Sequence, residues 1–115
     1  MKRDPSLYLE DILEAITIIE QYLANSDRTS FEKDLKLQDA VIRRIEIIGE
    51  AAKHLPSSFR EKYPAVPWKD FAGMRDILIH AYLNVNIERV WEVVKRDIPF
   101  LKKEVQRIIS KKERG

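Results

Sequence analysis

Arg75, Asp76, His80 and Tyr82 lie within eight consecutive residues, Arg-Asp-Ile-Leu-Ile-His-Ala-Tyr. An arginine can hold a phosphate through two parallel hydrogen bonds, and a histidine can exchange a proton near neutral pH. The tyrosine adds a hydroxyl that can be modified. A helix that only packs has no need of four such side chains together, so this segment predicts chemistry on a phosphodiester.

A helical projection places these four polar side chains on one half of the segment. Asp76 and His80 are one turn apart, and Arg75 and Tyr82 are two turns apart. The other half is apolar and predicts a core-facing side made of Phe71, Met74, Ile77, Leu78 and Ala81. The polar half also carries Ala72, Gly73 and Ile79. Two of these are very small residues, which indicates the floor of a cleft with room for a ligand.

This set of side chains can cleave RNA without a metal ion. His80 would transfer the proton, Asp76 would orient the imidazole, and Arg75 would bind the phosphate and stabilise its pentacoordinate transition state. The 2′-hydroxyl of RNA would be the nucleophile and leave a cyclic phosphate, whereas DNA should resist. Acid–base catalysis often needs two groups, and a homodimer that joins two motif helices would supply both.

Other interpretations of the same residues stay open. A single histidine on a helix is more often structural or solvated, and Arg75 and Asp76 can form ordinary surface ion pairs of little energetic weight. An Arg and a His five residues apart also occur by chance. The alternatives to a nuclease are therefore a non-catalytic module that binds RNA or nucleotide, and a purely structural helical adaptor.

Composition narrows the class of protein. A chain of 115 residues with 44% hydrophobic and 35% charged residues predicts one globular domain. The absence of cysteine excludes disulfides and thiolate zinc sites and favours a cytoplasmic location. The two histidines, His54 and His80, are far apart in sequence, so we expect neither a metal site nor a cofactor. We also expect no signal peptide and no membrane-spanning segment.

Positive charge is concentrated in the last part of the chain. Residues 95–115 contain eight Lys or Arg and three Asp or Glu, although the whole chain has a net charge of only +2. Such a basic segment can attract a polyanion. A solvated helix face is the more ordinary explanation for any one of these charges.

Apolar spacing predicts an all-α fold, an up-and-down bundle of four to five helices with a kinked C-terminal helix. Asp4 before Pro5 predicts the first N-cap. After a loop at residues 25–28, the capping-box spacing from Thr29 to Glu32 predicts a second helical region, in which a short turn precedes the main helix. Gly49 inside that main helix predicts close approach of a neighbouring helix.

Proline and polar residues divide the second half of the chain. Ser57 or Ser58 is predicted to cap one short turn, and Pro67 to occupy the first position of the motif helix. Asn86 is a predicted N-cap for the last helix. Pro99 lies inside that helix and should kink or divide it.

Arg75-x4-His80-x-Tyr82 in a helical domain of this length resembles the HepT-like toxins of the HEPN superfamily. Further landmarks occur in the same order along almost the entire chain: residues 39–43, residues 47–52, Trp68, residues 74–76, and Val90-Trp91. The ordered set is more specific than the motif alone. The resemblance identifies residues 1–115 as a single HEPN-like domain.

This resemblance implies a metal-independent endoribonuclease toxin of a type II/VII-like toxin–antitoxin pair, with its active site in a cleft between two protomers. The matching catalytic positions are Arg75 and His80, with Asp76 in support. The implied partner is an MntA-like nucleotidyltransferase antitoxin, which would neutralise the toxin by transferring AMP to Tyr82. The implied substrate is RNA, with tRNA and mRNA both open. HEPN domains without nuclease activity also exist.

Overall fold

The described chain is helical apart from its turns and short loops. A computed structural model describes the backbone of residues 3–80 and 86–114 and the side chains of residues 3–74 and 86–111. Its elements in chain order are α1 (Pro5–Leu23), α2 (Arg28–Lys33), α3 (Leu35–His54), α4 (Ser57–Lys62), α5 (Trp68–His80), α6 (Ile87–Glu92), a π-helical segment (Val93–Asp97) and α7 (Ile98–Arg114). The predicted all-α class is confirmed.

Side-chain caps define where several helices begin. The Asp4 carboxylate accepts from the Ser6 N–H at 2.9 Å, and the Asn86 amide oxygen accepts from the Arg89 N–H at 3.1 Å. Both predicted N-caps are thereby confirmed. The predicted cap at Thr29 is wrong. Asp27 caps α2 instead, by accepting from the Ser30 N–H at 2.8 Å. This backbone hydrogen bond lowers the pKa of Asp27 below its ordinary value.

Two further helix starts differ slightly from the prediction. Pro56 precedes α4 and no side chain caps that helix, so Ser57 is its first residue, and neither Ser57 nor Ser58 is its cap. Pro67 lies one residue before α5, where its carbonyl accepts from the N–H groups of Asp70 and Phe71 at 3.0 and 3.2 Å. Proline still serves as the fixed lead-in to α5, because its rigid φ suits a helix start.

The core is formed mainly by α1, α3 and α7. Helix α3 packs against α1 and α5, and α1 also packs against α7. Helix α1 buries six side chains along its length, because it has two neighbouring helices to contact. The fully buried side chains that fill this core are Leu9, Ile12, Ile16, Ile19, Phe31, Val41, Ile45, Ile48, Leu55, Leu101 and Val105. Gly49 is buried on α3, as expected for a packing residue.

Gln38 joins the short α2 to the long α3. Its side-chain amide is buried and donates to the backbone carbonyls of Phe31 and Glu32 at 2.9 and 3.0 Å. Carbonyls near a helix C-terminus have no partner within the helix. Gln38 adds a donor to both carbonyls, and the Phe31 carbonyl also accepts from the Asp34 N–H at 3.3 Å. The sequence analysis did not identify this role of Gln38.

The predicted interruption at Pro99 takes the form of the π-helical segment. The Ile98 N–H donates to the carbonyl of Val93, five residues earlier. A proline in an ordinary helix would clash with the carbonyl four residues before it and leave that carbonyl without a donor. The wider π turn ends just before Pro99, and α7 begins at Ile98, so the proline lies in the first turn of α7.

Candidate functional site

Helix α5 carries three of the four predicted site residues. Arg75, Asp76 and His80 all belong to it, as the apolar spacing predicted. Their backbone lies among the described residues, but their side chains do not, and Tyr82 lies outside the described residues altogether. At 1.5 Å of rise per residue, Arg75 and His80 are about 7.5 Å apart along the helix axis. That separation allows both residues to serve one phosphodiester.

An aromatic cluster fixes the start of α5. Trp68 is buried, and its indole N–H donates to the Tyr63 carbonyl at 3.0 Å. Its ring centroid lies 6.2 Å from that of Phe59, which in turn is 5.0 Å from the ring of Tyr63. Phe71, one turn further, is buried in the core. Because these contacts hold the first turns of α5, they set the position of the motif that follows.

The other half of α5 has room beside it, as the small residues there predicted. A Cβ atom built on Gly73 would have no atom of the described residues within 4 Å. Gly73 precedes Asp76 by three residues and His80 by seven, so the three positions share one side of the helix. Ala72 nevertheless packs partly against the core. The open surface beside Gly73 supports the predicted cleft floor.

Substitutions at Gly73 test whether that open surface receives substrate. Gly73→Ala should raise the free energy of unfolding by about 1 kcal/mol, because alanine is the better residue inside a helix and the space is empty. The sequence predicts RNA cleavage, and Gly73→Leu should fill the space and lower that predicted activity by about 10²-fold or more, since small displacements of a reacting group are costly. Urea denaturation and cleavage of a labelled RNA measure the two effects. Wild-type cleavage by the leucine variant would contradict the cleft.

A polar cavity of about 380 Å³ lies between α1 and α3 and was missed by the sequence analysis. The His54 Nδ1 lies 2.8 Å from the Glu50 carbonyl oxygen, which can only accept a hydrogen bond. The Tyr8 ring stacks on His54 with centroids 5.9 Å apart. The residues that line this cavity are Arg3, Tyr8, Asp11, Arg43, Glu46, Ile47, Glu50, Ala51 and His54.

Charges in this α1–α3 cavity are largely balanced. Arg3 pairs with Asp11 at 2.6 Å, and Arg43 pairs with Glu46 at 3.3 Å. The hydrogen bond from Arg3 to Asp11 raises the pKa of the arginine. Two arginines face three carboxylates, so the cavity offers no net attraction to an anion such as RNA. Arg43 and Glu50 lie within the family landmarks quoted above, which is the signal that could have identified them.

The described residues show neither a metal-binding cluster nor a membrane-spanning helix. They contain no group of three His, Cys, Asp or Glu side chains placed to hold a metal ion. They also include no helix with both the length and the apolar character needed to cross a membrane.

Comparison with known proteins places this all-helical chain in a class. The model of the family "Ribonuclease HepT-like" matches residues 12–108. The chain therefore belongs to the HepT-like family of the HEPN superfamily, and the resemblance found in the sequence is confirmed. No solved structure matches the chain.

Three known proteins show what this chain is similar to. The chain is 47% identical over 108 residues to "Probable ribonuclease HepT" of Thermococcus cleftensis, which covers 94% of this chain and 98% of that protein. It is 44% identical over 111 residues to a "Putative RNase" of Caldanaerobacter subterraneus, with 96% and 99% covered. It is 53% identical over all 115 residues to a "Gamma-glutamylcyclotransferase and putative RNase" of Methanocaldococcus jannaschii, but spans only 52% of that longer protein.

Proposed function

We propose that this protein is a metal-independent endoribonuclease. One observation carries the proposal: a chain of the HepT-like family places Arg75 and His80 five residues apart on the single helix α5. The names of its relatives, among them "Probable ribonuclease HepT", support ribonuclease activity. The open surface beside Gly73 supports a substrate cleft on the same helix.

The proposed reaction breaks the strand at one phosphodiester. His80 removes the proton of the 2′-hydroxyl, whose oxygen then attacks the adjacent phosphorus. Arg75 holds the phosphate oxygens and stabilises the negative charge of the pentacoordinate transition state. Asp76 accepts a hydrogen bond from the imidazole and selects its tautomer. The 5′-oxygen of the next nucleotide leaves with a proton, and a 2′,3′-cyclic phosphate remains.

The active site is proposed to form between two copies of the chain. One protomer supplies a single motif histidine, whereas the reaction needs one group to take a proton and another to return one. A second α5 would supply the other group. Large apolar side chains that are 40–69% exposed support an association of protomers, namely Leu7, Leu35 and Phe100.

In the cell, the nuclease is proposed to act as a cytoplasmic toxin held inactive by a nucleotidyltransferase antitoxin. The antitoxin would transfer AMP from ATP to Tyr82, which follows Arg75 by seven residues. A phosphodiester placed there would occupy the position of the substrate phosphate.

Incubation of the purified protein with total RNA and a chelator tests the proposed activity. We expect RNA fragments with a cyclic phosphate at one end and a 5′-hydroxyl at the other, and intact DNA of the same length. Gel electrophoresis with end labelling measures both. RNA retained but uncut would favour the binding module instead, and neither retention nor cleavage would favour a structural adaptor.

A further inference from the structure

A second surface, distinct from the motif, carries concentrated positive charge. Lys62 and Tyr63, where α4 ends, face Glu104, Arg107 and Lys111 of α7 across a cavity of about 240 Å³. We call these five residues the basic groove. Three cations and one carboxylate line it, in contrast to the balanced α1–α3 cavity. The groove is thus suited to an anion.

The cations of the basic groove are only partly neutralised by the protein. Arg107 donates through Nη1 alone to both oxygens of Glu104, at 3.1 and 3.3 Å. Glu104 is 13% exposed and Arg107 54%, so the carboxylate holds the guanidinium from beneath while most of its donors face solvent. Lys62 and Lys111 form no ion pair with any residue that the structure describes. Two net positive charges therefore remain available to a ligand.

Tyr63 gives the basic groove an aromatic surface. Its ring is half-buried against Phe59, with the Lys62 ammonium 5.8 Å from the ring centroid. Its backbone carbonyl is fixed by the Trp68 indole. Surfaces that bind single-stranded nucleic acids combine cations with aromatic rings, because phosphates pair with the cations and bases stack on the rings. The basic groove offers three such cations and one such ring.

The position of the groove relates it to the catalytic helix. Tyr63 contacts Trp68, the first residue of α5, and Arg75 lies seven residues further, about 10 Å along the helix axis. An RNA strand bound at the motif needs only a few further nucleotides to span that distance. The groove is too far from the motif to take part in bond breaking.

We propose that the basic groove is an auxiliary RNA-binding site that holds the strand on one side of the cleaved linkage. This proposal rests on RNA being the substrate. Phosphates would contact Lys62, Arg107 and Lys111, and a base would stack on Tyr63. The site would set affinity for long substrates and leave the chemical step unchanged.

Charge reversal tests the groove against a matched control. Lys62→Glu/Lys111→Glu should weaken binding of an RNA of about ten nucleotides by about tenfold and raise KM with kcat unchanged. The salt dependence of binding should fall by about 1.4 in log–log slope, because two phosphate contacts are lost. Lys33→Glu/Lys36→Glu changes the net charge equally, at exposed positions outside the groove, and should have little effect. A dinucleotide substrate should be cleaved equally by all variants.

RNA binding is measured by fluorescence anisotropy and RNA cleavage by product formation, both on the 115-residue protein. Glu104→Gln should change RNA affinity in the opposite direction. It removes the one carboxylate among the five residues of the basic groove, so RNA should bind more tightly. If both double variants had the same RNA affinity and the same salt slope, the basic groove would not be an RNA-binding site. The proposed nuclease activity would be unaffected by that result. Groove-dependent binding without any cleavage would support the groove and refute the nuclease.

Discussion

Replacing His80 with alanine is expected to lower RNA cleavage by about 10²- to 10⁴-fold, the usual contribution of a general acid–base group. The fold should survive, because the described core is built by α1, α3 and α7 and by the N-terminal turns of α5. Circular dichroism and urea denaturation check the fold, and product formation from a labelled RNA checks the activity. Full activity in His80→Ala would remove the proposed mechanism.

His54 supplies the matched control, since it is the other of the two histidines in the chain. It lies in the charge-balanced α1–α3 cavity, and its Nδ1 is engaged by a backbone carbonyl. His54→Ala should therefore cleave RNA at close to the wild-type rate. If His54→Ala were inactive and His80→Ala active, the catalytic site would lie between α1 and α3 instead of on α5.

Arg75 is expected to distinguish charge from geometry. Arg75→Lys keeps a positive charge but loses the paired donors that match two phosphate oxygens. It should retain part of the activity, whereas Arg75→Ala should resemble His80→Ala. Equal activity in the lysine variant and the wild type would mean that only charge matters at this position.

Local signals explain why most of the fold could be predicted from the sequence. The caps at Asp4 and Asn86, and the interruption at Pro99, each depend on residues within one or two turns. The start of α2 could not be settled in this way. Asp27 and Thr29 are both acceptable N-cap residues two positions apart. Aspartate is the more favourable of the two, but the capping-box spacing from Thr29 to Glu32 favoured Thr29.

In the candidate site, too, local features could be predicted from the sequence and long-range ones could not. The placement of Arg75 and His80 on one helix follows from apolar periodicity, and the structure confirms that they share α5. The α1–α3 cavity joins Tyr8 to His54, and the basic groove joins Lys62 to Lys111. Residues this far apart in sequence meet only through the packing of helices, so no spacing rule could have paired them. The excess of positive charge in residues 95–115 could be seen in the sequence. The basic groove that Arg107 and Lys111 form with Lys62 could not.

Replacing Tyr82 with phenylalanine should make the proposed toxin resistant to its antitoxin. In the proposed reaction the Tyr82 phenolic oxygen attacks the α-phosphorus of ATP, loses its proton, and displaces pyrophosphate. Wild-type protein co-expressed with an MntA-like nucleotidyltransferase should gain the mass of AMP and lose RNA cleavage. Tyr82→Phe should gain no mass, and its expression should arrest growth even when the partner is present.

The other tyrosines make this result specific. The chain has four, and Tyr22 is a suitable control because 40% of its surface is exposed to an enzyme, yet it lies on α1. Tyr22→Phe should be modified and silenced like the wild type. AMP found on Tyr82→Phe, or unchanged cleavage by fully modified protein, would contradict the proposed control. In the proposed mechanism, an added phosphodiester competes for Arg75, so silencing should require both the hydroxyl of Tyr82 and a transferable nucleotide.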